Sequence, residues 1–330
     1  MKTKAFWKAV AVLGAVGLGG CEAGQTGPVS VTDDAVTITI APFDVAPGQE
    51  VQNCHYFKLP SDVDIDVNHV TMDFSLGTHH AHIYYGAEAH PDGIEECFTA
   101  VDFEKWHLLA ATQREKLEWQ LPPGQALRLK AHQQLLVQVH YTNAQLLVTE
   151  ANRAHGTMVL DRVEPTKVKG HLGTVFGQQR TIHVAPHSTY SITGLCQLPR
   201  AADLAAFAGH YHFRGQDFIG YKTDTTGVRQ DEFYRSDNFA EPKFTIYDAS
   251  NPMHFAQNER IMWHCDYDNQ TDLDIPFGPH EVNQEHCNMF VFYYPAAGEQ
   301  EFTPCVSWGR CPVECAAGQT CSTAGTCVAQ

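Results

Sequence analysis

From Ala35 onward the chain is written in short apolar runs with turn residues between them. Val36-Thr37-Ile38-Thr39-Ile40 alternates apolar and polar with the period of two that turns one face of a strand toward a core. Ala46-Pro47-Gly48-Gln49-Glu50 then reads as a turn. Further strand-like runs fall at residues 70–74, 82–85, 125–129, 135–141 and 158–163, with Leu121-Pro122-Pro123-Gly124 as punctuation. Ala111 to Leu117 is the one stretch with helical promise. Val163-Glu164-Pro165-Thr166 has the composition of a joint, and beyond it the style repeats at 179–184, 188–192, 207–213, 217–222, 243–247, 260–267 and 288–294. Residues 201–208 offer either one helical turn or the lead into a strand. The pattern predicts an all-β protein of two tandem antiparallel β-sandwich, jelly-roll-like domains, residues 36–164 and 165–306.

The two ends read differently. Lys2, Lys4 and Lys8 surround and precede a short apolar run from Ala9 to Leu18, and Leu18-Gly19-Gly20-Cys21 has the form of a bacterial lipobox. Residues 1–20 are therefore expected to be a lipoprotein signal peptide, with lipid on the Cys21 sulfur, in preference to an ordinary secretory leader with a chance cysteine. Glu22 stands where an aspartate would resemble an inner-membrane retention signal, so the expected destination is the outer membrane and periplasm or the cell surface. Residues 21–35 read as a flexible tether, which makes the lipid anchor the only expected membrane contact. Tail residues 307–330 carry Cys311, Cys315, Cys321 and Cys327 among small residues. A segment so small cannot bury a core and reads as a disulfide-rich appendix, similar to a fragment of an EGF-type module.

Composition narrows the function classes. The chain has 330 residues, 43 % of them apolar, enough for one or two cores of ordinary size. Its formal net charge of −16 leaves no electrostatic footprint for nucleic acid. There are eleven cysteines; with Cys21 given to lipid an even set remains, suited to disulfides in an oxidising compartment. A zinc site on thiolates would want C-x-x-C pairs, and the sequence has none.

Histidine reaches 19 copies, and its placement says more than its count. Gly77-Thr78-His79-His80-Ala81-His82-Ile83-Tyr84-Tyr85 sets three imidazoles in four residues at the head of an apolar strand. Three more segments follow: Gln138-Val139-His140-Tyr141, Gly209-His210-Tyr211-His212 and Glu285-His286-Cys287-Asn288. Residues two apart on a strand face the same way, so His210 and His212 can reach one metal, and Gln138 shares a face with His140 where it could orient a ligand. His79 and His80 are neighbours and point oppositely; either the strand bulges there or the same-face pair is His80 and His82. One isolated histidine reads as a hydrogen-bonded imidazole. An HxH beside an HHxH points to metal, and all-nitrogen donors with the affinity order favour copper over zinc.

In these segments the chain resembles the copper type II, ascorbate-dependent monooxygenases, the group of peptidylglycine α-hydroxylating monooxygenase and dopamine β-hydroxylase, over about residues 36–306. His79-His80 is similar to the family's HH pair and Val137-Gln138-Val139-His140-Tyr141 to its QVHY segment. His210-Tyr211-His212 with the later Gly220-Tyr221 is similar to its HxH and GY, and Glu285-His286-Cys287-Asn288 with Tyr293-Tyr294-Pro295 to the segment of its last ligand. The resemblance implies two coppers per chain. His79, His80 and His140 would hold an electron-transfer copper; His210, His212 and His286 would hold the O2-binding, catalytic copper, with Gln138 and Asn288 supporting the cofactor. It further implies disulfides Cys54–Cys97, Cys196–Cys305 and Cys265–Cys287, which leaves the four tail cysteines to pair among themselves.

Departures from the family pattern bear on substrate and activity. His286 stands where the family has a methionine thioether, and a third imidazole is a harder donor that shifts preference toward Cu(II). Met289, three residues on, and Met262 are the alternative sources of sulfur, but neither aligns with that position. The peptidylglycine enzyme's carboxylate clamp has an arginine where this chain has Ala208 and a tyrosine where it has Phe290, so a peptide C-terminal glycine is not the expected substrate. The expected function is hydroxylation of a C–H bond of an unidentified small-molecule or peptide substrate, using O2 and ascorbate or an equivalent one-electron reductant. The alternatives are a non-catalytic surface lipoprotein that binds copper or transfers electrons, and a structural lipoprotein whose histidines bind zinc or nothing. Residues 62–66 and 223–226 read as solvated loops, and Asp266, Asp268, Asp272 and Asp274 as a polar loop without the EF-hand glycine and glutamate. Trp106, Trp119 and Trp263 read as core, and no Ser-His-Asp or phosphate-loop signature is present.

Overall fold

The computed structural model describes residues 29–307, apart from 87, 98–101, 103, 104 and 144–151, together with the backbone of two short tail strands, Gln319–Cys321 and Cys327–Ala329. The expected signal peptide, the lipid site at Cys21 and the pairing of the tail cysteines lie outside the described residues.

Alternation along Ala35–Val45 buries Val36, Ile38 and Ile40 and leaves the threonines between them on the other face. That strand lies in a sheet with Val29–Val31, Asn152–Arg162, Ile65–Phe74, Gln125–Leu129 and Gly170–His171, and Lys116–Gln120 pairs with Ile65–Phe74 beside this path. Facing it is a sheet ordered Gly93–Glu96, Glu50–Lys58, Gln134–Thr142, Thr78–Gly86 and Trp106–Thr112. In the second half, Phe244–Ile246, Ala202–His210, Asn288–Tyr294, Gly173–Gln179 and Phe302–Ser307 form one sheet, with Met253–Phe255 on its edge. Ser188–Gln197, Arg260–Asn269, Gly215–Thr223 and Arg229–Ser236 form the sheet opposite. The architecture is the expected all-β pair of sandwiches, antiparallel except where Gly173–Gln179 meets Phe302–Ser307 and Gly170–His171 meets Gln125–Ala126. Disulfides join Cys54 to Cys97, Cys196 to Cys305 and Cys265 to Cys287.

Several local expectations are corrected. Val29–Val31 is already paired with Val36–Ile38, so the stretch expected as tether to residue 35 contributes a strand. Ala111–Leu117 is no helix: Trp106–Thr112 and Lys116–Gln120 are strands, and the Thr112 hydroxyl donates to Arg114 O across the turn between them. Helix propensity yields there because Leu108 to Ala111 and Leu117 are needed in the cores on either side. Residues 179–184 are divided between the strands Gly173–Gln179 and His183–Val184. Asp66 lies in a strand and is 3 % exposed, not solvated. Its carboxylate accepts from Arg128 Nε and Nη2 at 2.9 and 2.8 Å and lies 2.8 Å from His171 Nε2.

The sandwiches share an apolar seam. Cys54, Tyr84, Trp106, Leu108, Ala111 and Leu136 of the first pack with Phe176, Ala208 and Phe290 of the second. Polar stitches cross the same seam: Thr174 Oγ1 donates to Leu108 O at 3.0 Å, and Gln113 Nε2 to Gly209 O at 2.9 Å. This seam fixes where the histidine segments of the two halves meet.

Candidate metal centre

The first histidine strand starts from Gly77. Its φ of 93° is open to glycine and strained for a side chain, and an added Cβ would lie 2.8 Å from the Thr142 carbonyl oxygen. From there Thr78–Gly86 runs antiparallel to Gln134–Thr142, with Tyr141 opposite Thr78 and His140 opposite His80. His79 is the extra residue of a bulge in that ladder. Both alternatives read from the sequence are realised together. The strand bulges at His79, and His80 and His82 share a face with their rings stacked, centroids 4.3 Å apart.

His210 is the last residue of the strand Ala202–His210, and His212 lies just beyond it. Strand alternation was the expected reason for their alignment; the loop that follows supplies it instead. Glu285 is fully buried, and its carboxylate accepts the backbone N–H of His212 at 2.8 Å and of Arg214 at 2.9 Å. The His210 and His212 rings end with centroids 5.3 Å apart. His286 follows Glu285; its carbonyl accepts from the Tyr267 hydroxyl at 2.6 Å, and the Cys265–Cys287 disulfide pins the next residue. Its ring lies 4.6 Å from His212 and 5.3 Å from His210.

Hydrogen bonds at the outer ring nitrogens set which inner nitrogens carry the lone pair. The Gln284 carbonyl can only accept, so His212 Nδ1, 2.8 Å away, carries the proton. Gln113 donates its amide to Gly209 O, which turns Oε1 toward His210 Nδ1 at 2.9 Å with the same result. Burial pushes the Glu50 carboxyl up, but hydrogen bonding and charge from His140 outweigh this and hold it at about 2. Glu50 is thus a carboxylate and accepts from His140 Nε2 at 2.6 Å. Such outer partners are what metal-ligating imidazoles use to fix their tautomer and orientation.

Burial holds the imidazoles of His79, His82 and His212 down at about 3, and pushes His80, His210 and His286 well below the ordinary range. All six are neutral at pH 7, the form that ligates. Nε2 of His79, His82, His210 and His212, and Nδ1 of His80 and His286, are buried without a hydrogen-bond partner. A buried polar atom left so costs about 1–3 kcal/mol. Six of them in one cluster are a poor way to build a core and a good way to build a metal site, so these residues fit copper.

All six ligand residues expected from the sequence meet here, and His82 joins them. The trios His79/His80/His140 and His210/His212/His286 lie directly against each other. The His79 ring is 5.4 and 5.1 Å from His80 and His140, and 5.4 and 5.3 Å from His210 and His212; His80 is 5.6 Å from His210. Among the described residues, the set whose donor atoms all lie within 4.8 Å of one another is His79, His210 and His212. Gln138 sits opposite His82 in the ladder, while Glu50 is the outer partner of His140. Asn288 is paired with His210 across the next ladder, its Oδ1 buried and unpartnered.

Sequence reasoning passed over Glu50, Gln113, Gln284 and Glu285. Glu285 was in view beside His286, but a carboxyl group that caps a loop has no spacing signature; Glu50 opens a strand and Gln113 sits in a turn, each far in sequence from the metal-centre histidine it contacts. Glu285 itself is pushed up to about 8 by burial, against the two N–H groups that favour its charge. On the open side a cavity of about 300 Å³ reaches His79, lined also by Glu115, Phe239, Glu241 and Glu281.

Residues 171–313 match the family described as copper type II ascorbate-dependent monooxygenase, C-terminal domain. The match takes in His210, His212 and His286 and stops short of His79, His80 and His140. No curated protein matches the chain. The second sandwich, with its three buried imidazoles, is thus the part of the chain that matches the copper type II ascorbate-dependent monooxygenase C-terminal domain.

Proposed function

We propose that the chain is a copper-dependent monooxygenase that hydroxylates a C–H bond of a small substrate, using O2 and ascorbate or an equivalent one-electron reductant. The observation that carries this reading is the meeting of buried, neutral imidazoles from both sandwiches, unpartnered nitrogens turned inward, on a domain of that family. Seven imidazoles exceed the four donors of a tetrahedral ion, which favours two coppers. The first-sandwich histidines would serve electron transfer and the second-sandwich histidines O2. Bound there, copper supplies one-electron redox chemistry and activation of O2.

The chain's own residues prepare that chemistry. Glu50, Gln113 and the Gln284 carbonyl hold three rings in one tautomer each, and Glu285 pins the loop that carries His212 and His286. Substrate would enter by the cavity at His79, where Glu115, Glu241 and Glu281 set a negative potential that disfavours a carboxylate. Ala208 and Phe290 are packed into the apolar seam, which supports the reading that a peptide C-terminus is not the substrate.

Copper-loaded protein with ascorbate and a panel of uncharged and amine-bearing compounds should consume oxygen in proportion to hydroxylated product. The reading fails if uptake does not exceed that of a variant lacking both His210 and His212. The third imidazole at His286, in place of a softer thioether, favours a second reading, a non-catalytic copper binder. Tight stoichiometric copper with no substrate-dependent uptake would decide for it. We further propose that Cys21 carries lipid and tethers the protein to the outer membrane or cell surface. Labelled palmitate should be incorporated by the native chain and not by Cys21→Ser, and incorporation by both would refute this.

A further inference from the structure

We propose that the open edge of the first sandwich holds a second binding site, on the far side of its sheet from the metal centre, for an uncharged apolar molecule that carries a hydroxyl group, with the His55 imidazole as its polar partner. The inference stands apart from the copper reading above.

Seven histidines among the described residues bury a ring nitrogen that has no hydrogen-bond partner. Six belong to the metal centre. The seventh is His55, whose Nε2 is left so while the residue is only 6 % exposed. It cannot join the others. His55 sits opposite Val137 in the ladder, and Val137 faces the core of the first sandwich, whereas Leu136 beside it packs into the seam. Faces alternate along a strand, so Gln138 and His140 lie on the side of Leu136, and the sheet separates His55 from them.

A cavity of about 700 Å³ lies against His55, within the range of small-molecule sites. Two strand edges leave it open. Val29–Val31 covers Ala35–Val45 only at Val36–Ile38, and Thr39 and Ala41 line the cavity beyond the end of that short strand. On the facing sheet Gly93–Glu96 is the outermost strand. A Cβ added to Gly93 would meet nothing within 4 Å, and Ile94 beside it is 64 % exposed.

The lining selects the ligand. Burial holds the His55 imidazole down at about 4, so at pH 7 it is neutral, with one donor and one acceptor nitrogen. A hydroxyl can donate to or accept from such a ring, whichever nitrogen bears the proton. Phe57, on the same face of its strand as His55, and Ile94 supply apolar wall. Asp92 is the one charged residue of the lining, without a lysine or arginine, so an anion finds no partner there.

The test uses the full chain, with β-naphthol as the probe and naphthalene as its counterpart without the hydroxyl, read by equilibrium dialysis. The native chain should bind β-naphthol saturably, about 3- to 10-fold more tightly than naphthalene, the worth of one hydrogen bond. His55→Phe, which keeps a ring and loses both nitrogens, should bring the two affinities together. Thr39→Trp, on the exposed edge, should fill the cavity and abolish binding of both probes; it serves if His55→Phe does not fold. The inference is overturned if the native chain takes up no β-naphthol saturably, if it binds the two probes alike, or if either variant binds them as the native chain does.

Discussion

Metal-free protein should lose stability steeply in mild acid and unfold within about two pH units below the ordinary histidine pKa of 6.5. His79, His82 and His212 are held at about 3 by burial, and His80, His210 and His286 well below 6.5. Between 6.5 and those folded values the unfolded chain binds a proton on each ring and the folded chain binds none. Stability is therefore whole above 6.5 and is lost as pH falls, at up to about 1.4 kcal/mol per ring per pH unit. Glu285 runs the other way, because its folded carboxyl is pushed up to about 8, and offsets roughly one ring. Carboxylates with lowered values, such as Asp66, contribute only below about pH 4 and leave this window alone. A domain of ordinary stability, about 5–15 kcal/mol, cannot withstand several such rings for long.

Melting temperatures of the metal-free chain at pH 7, 6 and 5, by calorimetry or circular dichroism, measure the effect. A flat profile would contradict the burial of neutral imidazoles. A variant with His210→Ala and His212→Ala has two fewer rings to protonate and should lose less stability per pH unit than the native chain. Copper should blunt the acid transition, since an ion bound only by the folded state at 1,000 times its Kd adds about 4 kcal/mol. Because the folded rings resist protonation, acid release of copper should coincide with unfolding rather than precede it.

How much of this was legible in the sequence differs by level. Period-two alternation marked Ala35–Val45 and the apolar runs marked Gln125–Leu129 and Asn288–Tyr294, because a strand's burial is a local pattern. The histidine segments were legible for the same reason. What hides from sequence is whatever depends on the seam between the sandwiches. Nothing around Gln113 says that it faces His210, since the contact spans 97 residues and rests on the Gly209 carbonyl. The bulge at His79 was visible only as an ambiguity; which way its ring turns depends on the loop with Glu281, in the other half of the chain. Residues 111–117 were misread because helix propensity is weak against two flanking strands with cores to fill. Asp66 was misread because an aspartate among aspartates looks solvated until its partners, Arg128 and His171, are brought in by the fold.

That same Asp66 should be a costly polar side chain to remove outside the metal centre. Its carboxylate is 1 % exposed and gathers Arg128 and His171, while Arg128 Nη1 reaches Glu299 at 2.6 Å. His171 begins the second sandwich and Glu299 lies near its end, so one buried carboxylate and one arginine tie both ends of that domain to the first. Asp66→Ala leaves the arginine without its bidentate partner in a half-closed site, a kind of loss that costs about 3–5 kcal/mol. Asp64→Ala is the control: Asp64 is 42 % exposed and 3.6 Å from the same guanidinium, and such a surface pair is worth no more than about 1 kcal/mol. Denaturant midpoints of the two variants should separate accordingly; equal midpoints would mean that the network is ornamental. Burial raises the Asp66 carboxyl, but Arg128 and His171 outweigh it and hold it low, so the contribution is present above pH 4 and lost only as pH falls through the folded value. At neutral pH, Asp66→Ala should also loosen the seam that sets His79 against His210 and His212. A broadened Cu(II) spectrum in that variant, with copper content unchanged, would tie the ion-pair network to the geometry of the metal centre.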